Sequence, residues 1–217
     1  MRTGYLPAPT DMLEAKELTC IRDDWTLFSG LSFRLEPSQA LLIEGRNGSG
    51  KSSLLSLLCG LRSPDAGRLF WDGHDIDHKT VEYHQYIAYI GHKDGIKLDL
   101  TPRENLTIAQ TLGATDTGVS VPEALAMLEL SGYEDTPARN LSAGQRRRVG
   151  LARLLLNHCR LWILDEPFTS LDRRGIALVE SLIAKHLESG GMLAMTSHHA
   201  VNLPAERVQR IDLSAAS

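Results

Sequence analysis

Apolar residues recur along this chain in two rhythms. Short runs at Gln39 to Glu44, Tyr86 to Ile90, Leu161 to Leu164 and Met192 to Thr196 are nearly unbroken, as in strands buried on both faces. Between them lie stretches of helical pattern: Ser52 to Leu58, the long region from Pro102 to Asn157, and about Arg173 to Ser189. Inside the long region Pro122 starts a helix through about Leu130, and Ser142 caps another that runs to about Asn157. Residues 13–44 read as short strands broken by Arg22-Asp23-Asp24 and Glu36-Pro37-Ser38, and Gly67 to Trp71 with Asp72-Gly73 as a further strand and turn. Leu112 to Ser120 reads as an exposed loop.

Strands alternating with helices of this length predict an α/β fold with a mostly parallel sheet covered on both faces, into which a helical segment is inserted. At 217 residues, 42 per cent of them hydrophobic, the chain can close one full core, and a single domain over 1–217 is expected.

The stretch between the first buried strand and its helix carries the strongest chemical signal. Gly45-Arg46-Asn47-Gly48-Ser49-Gly50-Lys51-Ser52, followed by Ser53, has the Gly-x4-Gly-Lys-Ser spacing of a phosphate-binding loop, the P-loop. Glycines let the backbone wrap closely around phosphate, and N–H groups of the turn and of the helix start face the anion. Lys51 would reach the β and γ phosphates of a nucleoside triphosphate, and the Ser52 hydroxyl would ligate Mg²⁺. A second signal is Leu161 to Leu164 ending in Asp165-Glu166. Successive strand side chains point to opposite sides, so the two acids are expected to differ in role. Asp165 would hold Mg²⁺, directly or through water, and Glu166 would polarise the water that attacks the γ-phosphate. A third is Leu141-Ser142-Ala143-Gly144-Gln145, where a Ser at a helix start followed by Gly offers a hydroxyl, backbone N–H groups and a positive helix end to another phosphate. One chain already has its P-loop, so these donors make sense facing the nucleotide of a second copy.

These residues resemble the ATP-binding cassette (ABC) ATPases, whose signature Leu-Ser-Gly-Gly-Gln here has Ala143 for its first Gly. The resemblance implies a RecA-like core with an antiparallel β sub-domain over 12–92 and 158–217, and a helical sub-domain carrying the signature over 93–157. It also implies two copies sandwiching two ATP molecules, each between one P-loop and the other copy's Leu141 to Gln145. Thr169-Ser170-Leu171-Asp172 matches the family's D-loop, so Asp172 is carried over as a nucleotide-site residue. Thr196-Ser197-His198 matches its switch histidine, which places His198 beside Glu166 and the water, with His199 the weaker candidate. Where the family usually has a Mg²⁺-linked Gln, this chain has Gly91-His92-Lys93. His92 could substitute as a ligand if neutral; Lys93, a cation, could not. The residue that stacks on adenine should fall near Arg22 or Trp25, and a plain surface loop there is an equal alternative.

Further stretches, among them Leu27 to Phe33, Pro64 to Gly67, Tyr83-His84-Gln85 and Gly95-Ile96-Lys97, are similar to the ATPase subunits of cytochrome c maturation systems, over nearly the whole of 12–211. That likeness implies a peripheral subunit on the cytoplasmic face of the bacterial inner membrane. There it would drive haem export, or release of a haem-loaded chaperone, through a separate integral membrane subunit. The eight histidines are scattered and no Cys-x-x-Cys-His occurs, so no direct haem binding is expected.

Composition narrows the picture further. No apolar run approaches the roughly 18 residues that span a bilayer, and Met1 to Thr10 lack the apolar centre of a signal peptide. A net charge of -4 gives no general attraction to nucleic acid, and no nucleic-acid partner is expected. Arg146-Arg147-Arg148 reads as a solvated or partner-facing helix turn. Cys20, Cys59 and Cys159 are far apart, which argues for isolated buried thiols over a disulfide framework or zinc site. A soluble ABC ATPase acting on DNA or ribosomes would usually bring two cassettes, a coiled-coil insertion or zinc cysteines. A small-molecule kinase would need neither Leu141 to Gln145 nor Glu166.

Overall fold

The four apolar runs become parallel strands of a five-stranded sheet, and Val208–Asp212, which the sequence reading left unassigned, adds the fifth. The computed structural model describes residues 12–78, 80–113 and 117–214. In chain order the elements are β1 (Leu13–Arg22), β2 (Trp25–Leu35), β3 (Ala40–Glu44), α1 (Lys51–Leu58), β4 (Ala66–Trp71), β5 (His74–Asp75), α2 (Thr80–Tyr83), β6 (Ile87–Ile90), α3 (Pro102–Leu112), α4 (Val121–Met127), α5 (Ala143–Ala152), β7 (Leu161–Asp165), α6 (Arg173–Glu188), β8 (Met192–Thr196) and β9 (Val208–Asp212). The sheet runs β6-β7-β8-β3-β9 with every pairing parallel, and β2-β1-β4-β5 form a separate antiparallel sheet. Parallel strands need covered faces, and two apolar clusters supply them. Leu41, Ile43, Leu161, Ile163, Met192 and Ala194 face α1 and the antiparallel sheet. Ala40, Leu42, Trp162, Leu164, Leu193 and Met195 face the helices from α3 to α6.

The helical region follows the sequence reading with two shifts at its ends. The helix begun at Pro122 stops at Met127, short of Leu130. Glu129 takes a left-handed φ of 55°, its N–H donates to Ala126 O, and the Leu130 N–H reaches back to Leu125 O, so a Schellman turn closes the helix without glycine. Leu130 and Leu125, both fully buried, supply the apolar contact of that turn. The helix after Ser142 is α-helical only to Ala152 and tightens into a 3₁₀ turn over Arg153–Leu155 before the chain enters β7. The described parts of the predicted 112–120 loop connect α3 and α4; residues 114–116 of that loop lie outside the described residues. Cys20 and Cys59 are buried as expected and Cys159 is partly so.

One packing contact has a pH signature. The His186 imidazole on α6 lies flat on Trp162 of β7, ring centroids 3.9 Å apart and planes within 5°, with its Nε2 3.0 Å from Met192 O. Burial pulls its pKa down to about 4, against partial compensation from the Met192 and Arg160 carbonyls. The unfolded chain takes up this proton near pH 6.5, whereas the folded imidazole resists to about pH 4. Native stability therefore falls as pH drops through that window and is insensitive to this group above it, with an upper bound of about 3 kcal/mol. His186→Gln, which keeps a donor for Met192 O, is expected to flatten the loss of urea-unfolding free energy between pH 6.5 and 4.

Candidate functional site

The site starts at the turn between β3 and α1. Gly50 takes φ 97° as the residue before the helix, and Gly45 takes φ 142° where an added Cβ would meet Ser49 Oγ at 2.5 Å. Both conformations suit glycine and hold the turn against the helix start. No side chain caps α1, so its leading N–H groups remain aimed out of the helix end, the arrangement that receives anions. Lys51 curls over the turn, its Nζ donating to Gly45 O at 2.7 Å and Arg46 O at 3.2 Å. Ser49 Oγ is buried there without a hydrogen-bond partner.

The carboxyl ends of β7 and β8 meet this turn. Asp165 is buried and accepts two hydroxyls, from Ser52 Oγ at 3.0 Å and from Thr196 Oγ1 at 2.6 Å. Thr196 Oγ1 in turn accepts the Glu166 N–H at 3.0 Å. Glu166 lies one residue past the end of β7 with φ 48°. A left-handed turn, not strand alternation, therefore separates the two acids. The Glu166 carboxylate accepts the His198 N–H on Oε2 at 3.1 Å, and its Oε1 is buried, 3.4 Å from His198 Nε2 but without a directed hydrogen bond. His199 turns elsewhere, to 3.7 Å from Glu180 and against the Phe168 ring.

These groups share a cleft of about 520 Å³ whose walls include Asn47, Lys51, Ser52, Ser53, His92, Asp165, Glu166 and His198. His92 is in that wall and Lys93 is not, while Arg22 lines one side. Trp25, 77% exposed, belongs to a neighbouring hollow of about 510 Å³ with Arg46 and Ser49, which shares Leu27, Asn47 and Gly48 with the main cleft. The structure does not bring Leu141 to Gln145 into the cleft of their own chain. Leu141 is buried, and Ser142 caps α5 by accepting the Gln145 N–H at 3.1 Å while Gln145 Oε1 accepts the Ser142 N–H at 2.8 Å. Ser142 and Ala143 are exposed, with Gly144 and Gln145 partly so. Asp172 is also outside the cleft and caps α6 by accepting the Gly175 N–H at 2.8 Å.

The basic run on α5 corrects the sequence reading. Arg147 is 1% exposed, neither solvated nor free for a partner. Its guanidinium donates to Pro167 O at 3.2 Å, Gly91 O at 2.9 Å, Asp94 Oδ1 at 3.4 Å, Asp165 O at 3.0 Å and Glu166 O at 2.9 Å. Burial lowers its pKa, opposed by the Asp94 carboxylate first and then by Asp165 and Glu166. Arg148 bonds the carbonyls that end α4, and Arg146 the Leu141 carbonyl. The signal was present in the spacing: Arg147 precedes buried Leu151 by four residues and buried Leu154 by seven, which puts it on the inward face. Cys59, behind the turn, is no nucleophile, since burial aided by the Asp165 charge pushes its thiol up to about 12.

The ABC transporter family model matches residues 28–169. The cytochrome c biogenesis ATP-binding export protein CcmA of Methylococcus capsulatus is 51% identical over 190 residues, 87% of this chain and 92% of that one. Its namesake from Escherichia coli (strain K12) is 47% identical over 203 residues, 94% of this chain and 97% of that one. Among solved structures, a putative ABC transporter ATP-binding protein from Pyrococcus furiosus superposes with a TM-score of 0.79 over 95% of this chain and 99% of that one, at 22% identity, a likeness of fold.

Thr196→Val keeps the shape of the side chain but removes the hydroxyl shared by Asp165 and Glu166. A loss of about 1–3 kcal/mol in unfolding free energy is expected, because a buried charged acceptor loses its partner, with Thr196→Ser retaining most of it; the urea midpoints of the two variants give the comparison.

Proposed function

The chain belongs to the ABC transporter family as an ATP-binding subunit, and from that premise we propose that it is the ATP-hydrolysing, energy-coupling subunit of an exporter in c-type cytochrome biogenesis. The observation that carries the catalytic part is the convergence of Lys51, Ser52, Asp165, Glu166 and His198 on one cleft. The biological assignment rests on the CcmA relatives, which match this chain over most of both lengths. No helix among the described residues is long and apolar enough to cross a membrane. Export would run through a separate integral membrane subunit, with this chain on the cytoplasmic face of the inner membrane. Haem, or release of a haem-loaded chaperone, is the proposed task.

The donor set fits ATP with Mg²⁺. Hydroxyl and carboxylate oxygens of Ser52 and Asp165 lie 3.0 Å apart, hard oxygen donors of the kind Mg²⁺ prefers, and His92 stands in the same wall. The uncapped start of α1 offers the phosphates a positive cradle. When bound, the metal neutralises charge on the β and γ phosphate oxygens. Lys51 exchanges loop carbonyls for those oxygens. Glu166, fixed by its N–H to Thr196 and its Oε2 to the His198 N–H, keeps Oε1 for the attacking water and takes its proton. His198 orients the same water and contacts the γ-phosphate. Arg22 or Trp25 would cover the adenine.

Ser142 to Gln145 project from their own chain away from this cleft, so in our reading they complete the site of a second copy. ATP would close two chains into a sandwich, and hydrolysis with phosphate release would open it, moving the membrane subunit through the helical segment.

Two tests follow. Glu166→Gln is expected to bind ATP yet lose at least about 10²-fold in turnover, the lower end of what general-base catalysis contributes, and to accumulate as a dimer in size-exclusion chromatography with ATP; undiminished hydrolysis would reject the base. An equimolar mixture of Lys51→Ala and Ser142→Arg chains leaves each heterodimer at most one intact composite site out of two, so partial activity that neither variant shows alone is expected, and full activity in the mixture would rule out the sandwich.

A further inference from the structure

Helix α5 is keyed to the catalytic end of its own chain by contacts that leave no slack. At its first turn Gly144 lies so close to Ser170 that an added Cβ would stand 2.8 Å from the Ser170 carbonyl oxygen. Two turns on, a Cβ at Gly150 would stand 2.7 Å from the Asp94 carbonyl oxygen. Between them the Arg147 fork is saturated: guanidinium has five N–H donors, and five acceptors receive them. The acceptors lie on two segments only, the end of β7 and the turn after it at Asp165, Glu166 and Pro167, and the turn after β6 at Gly91 and Asp94. The first holds the carboxylates of the cleft, the second flanks His92.

We propose that Arg147 is the positioning residue through which the two nucleotide sites of the dimer sense each other. The inference rests on the paired-copy reading above. Ser142, exposed at the start of α5, is the group that the other copy's nucleotide would engage, and Arg147 is five residues, about 7.5 Å, further along a rigid helix. A nucleotide held by Ser142 thus fixes α5, and α5 through a planar, saturated fork fixes the carbonyls of Asp165 and Glu166 in its own chain. Those residues serve the opposite site of the sandwich. A shift of α5 by an ångström either drags both turns with it or breaks hydrogen bonds to one of them, since a five-donor planar group has no spare geometry. Each site is thereby set by occupation of the other.

The test is full-length Arg147→Gln and Arg147→Lys beside the parent, followed by ATP hydrolysis against ATP concentration, binding of a fluorescent ATP analogue, and melting temperature. The parent is expected to be cooperative, with a Hill coefficient of about 2 for two coupled sites, and Arg147→Gln to fall to about 1 with a turnover loss of at least ~10-fold and single-site affinity kept within about twofold. Arg147→Lys, which keeps the charge but loses the fork, should lie between the two. A variant whose melting temperature falls while its Hill coefficient stays at the parent value overturns the inference alone, and so does failure of both variants to fold, since the residue would then be purely structural. A parent without ATP hydrolysis overturns the energy-coupling reading and takes the inference with it; a parent that hydrolyses ATP without ATP-driven dimers overturns the sandwich.

Discussion

A guanidinium placed out of reach of water, with each of its N–H groups bonded, ties three parts of this molecule together. Arg147 stands on α5, and its acceptors end β6 and β7. Burying such a group without partners would cost several kcal/mol, and one carboxylate at 3.4 Å does not offset that alone. Four backbone carbonyls share the charge, one from the last residue of β7 and three from the turns beyond β6 and β7. The arrangement satisfies both sides: the turns need donors and the cation needs acceptors. Around it the carboxylates of the cleft, the loop of His92 and the helix that starts after Ser142 have one relative position.

From that fixed frame the chemistry of the cleft is a matter of which oxygen is occupied. Asp165 has both oxygens engaged by hydroxyls, so it is oriented and held in place. Glu166 has one oxygen engaged by the His198 N–H, and the other is left buried without a directed hydrogen bond. Two adjacent acids on the same chain acquire different surroundings because the left-handed turn at Glu166 swings its side chain off the line of the strand. The backbone strain there is held in place by Thr196 on one side and Arg147 on the other.

Much of this was legible in the residues. Spacing in 45–52 and the charged end of Leu161 to Glu166 located the cleft, because glycines in a fixed pattern and acids after an apolar run have few other uses. Apolar periodicity located four of the five parallel strands and most helices, and missed β9. Three further things were not legible. Reading Arg146 to Arg148 as a charged patch missed that helical spacing turns the middle one inward. The stop at Met127 depended on Glu129 adopting a left-handed conformation, which non-glycine residues rarely do and whose reason here is tertiary: Arg148 and Arg174 both grip its carboxylate. The separation of Asp165 from Glu166 was expected from strand alternation, whereas a turn produces it, since the strand ends one residue earlier than its pattern suggests.

The hydroxyls at the tip of the parallel sheet bear on how the chain finds its fold. A strand with one wet face is held in register by its alternation, since a slip of one residue would bury polar groups. Strands β3, β7 and β8 are apolar on both faces, so a slip merely exchanges one greasy surface for another. What distinguishes the native alignment is at the ends, where Asp165 pairs directly with Thr196 and receives Ser52. Displaced by one position toward the start of β8, the carboxylate would lie opposite Met195, with no hydroxyl to meet it. These side chains therefore act as an alignment mark for the sheet, so that the nucleotide site we propose and the strand register depend on the same three residues.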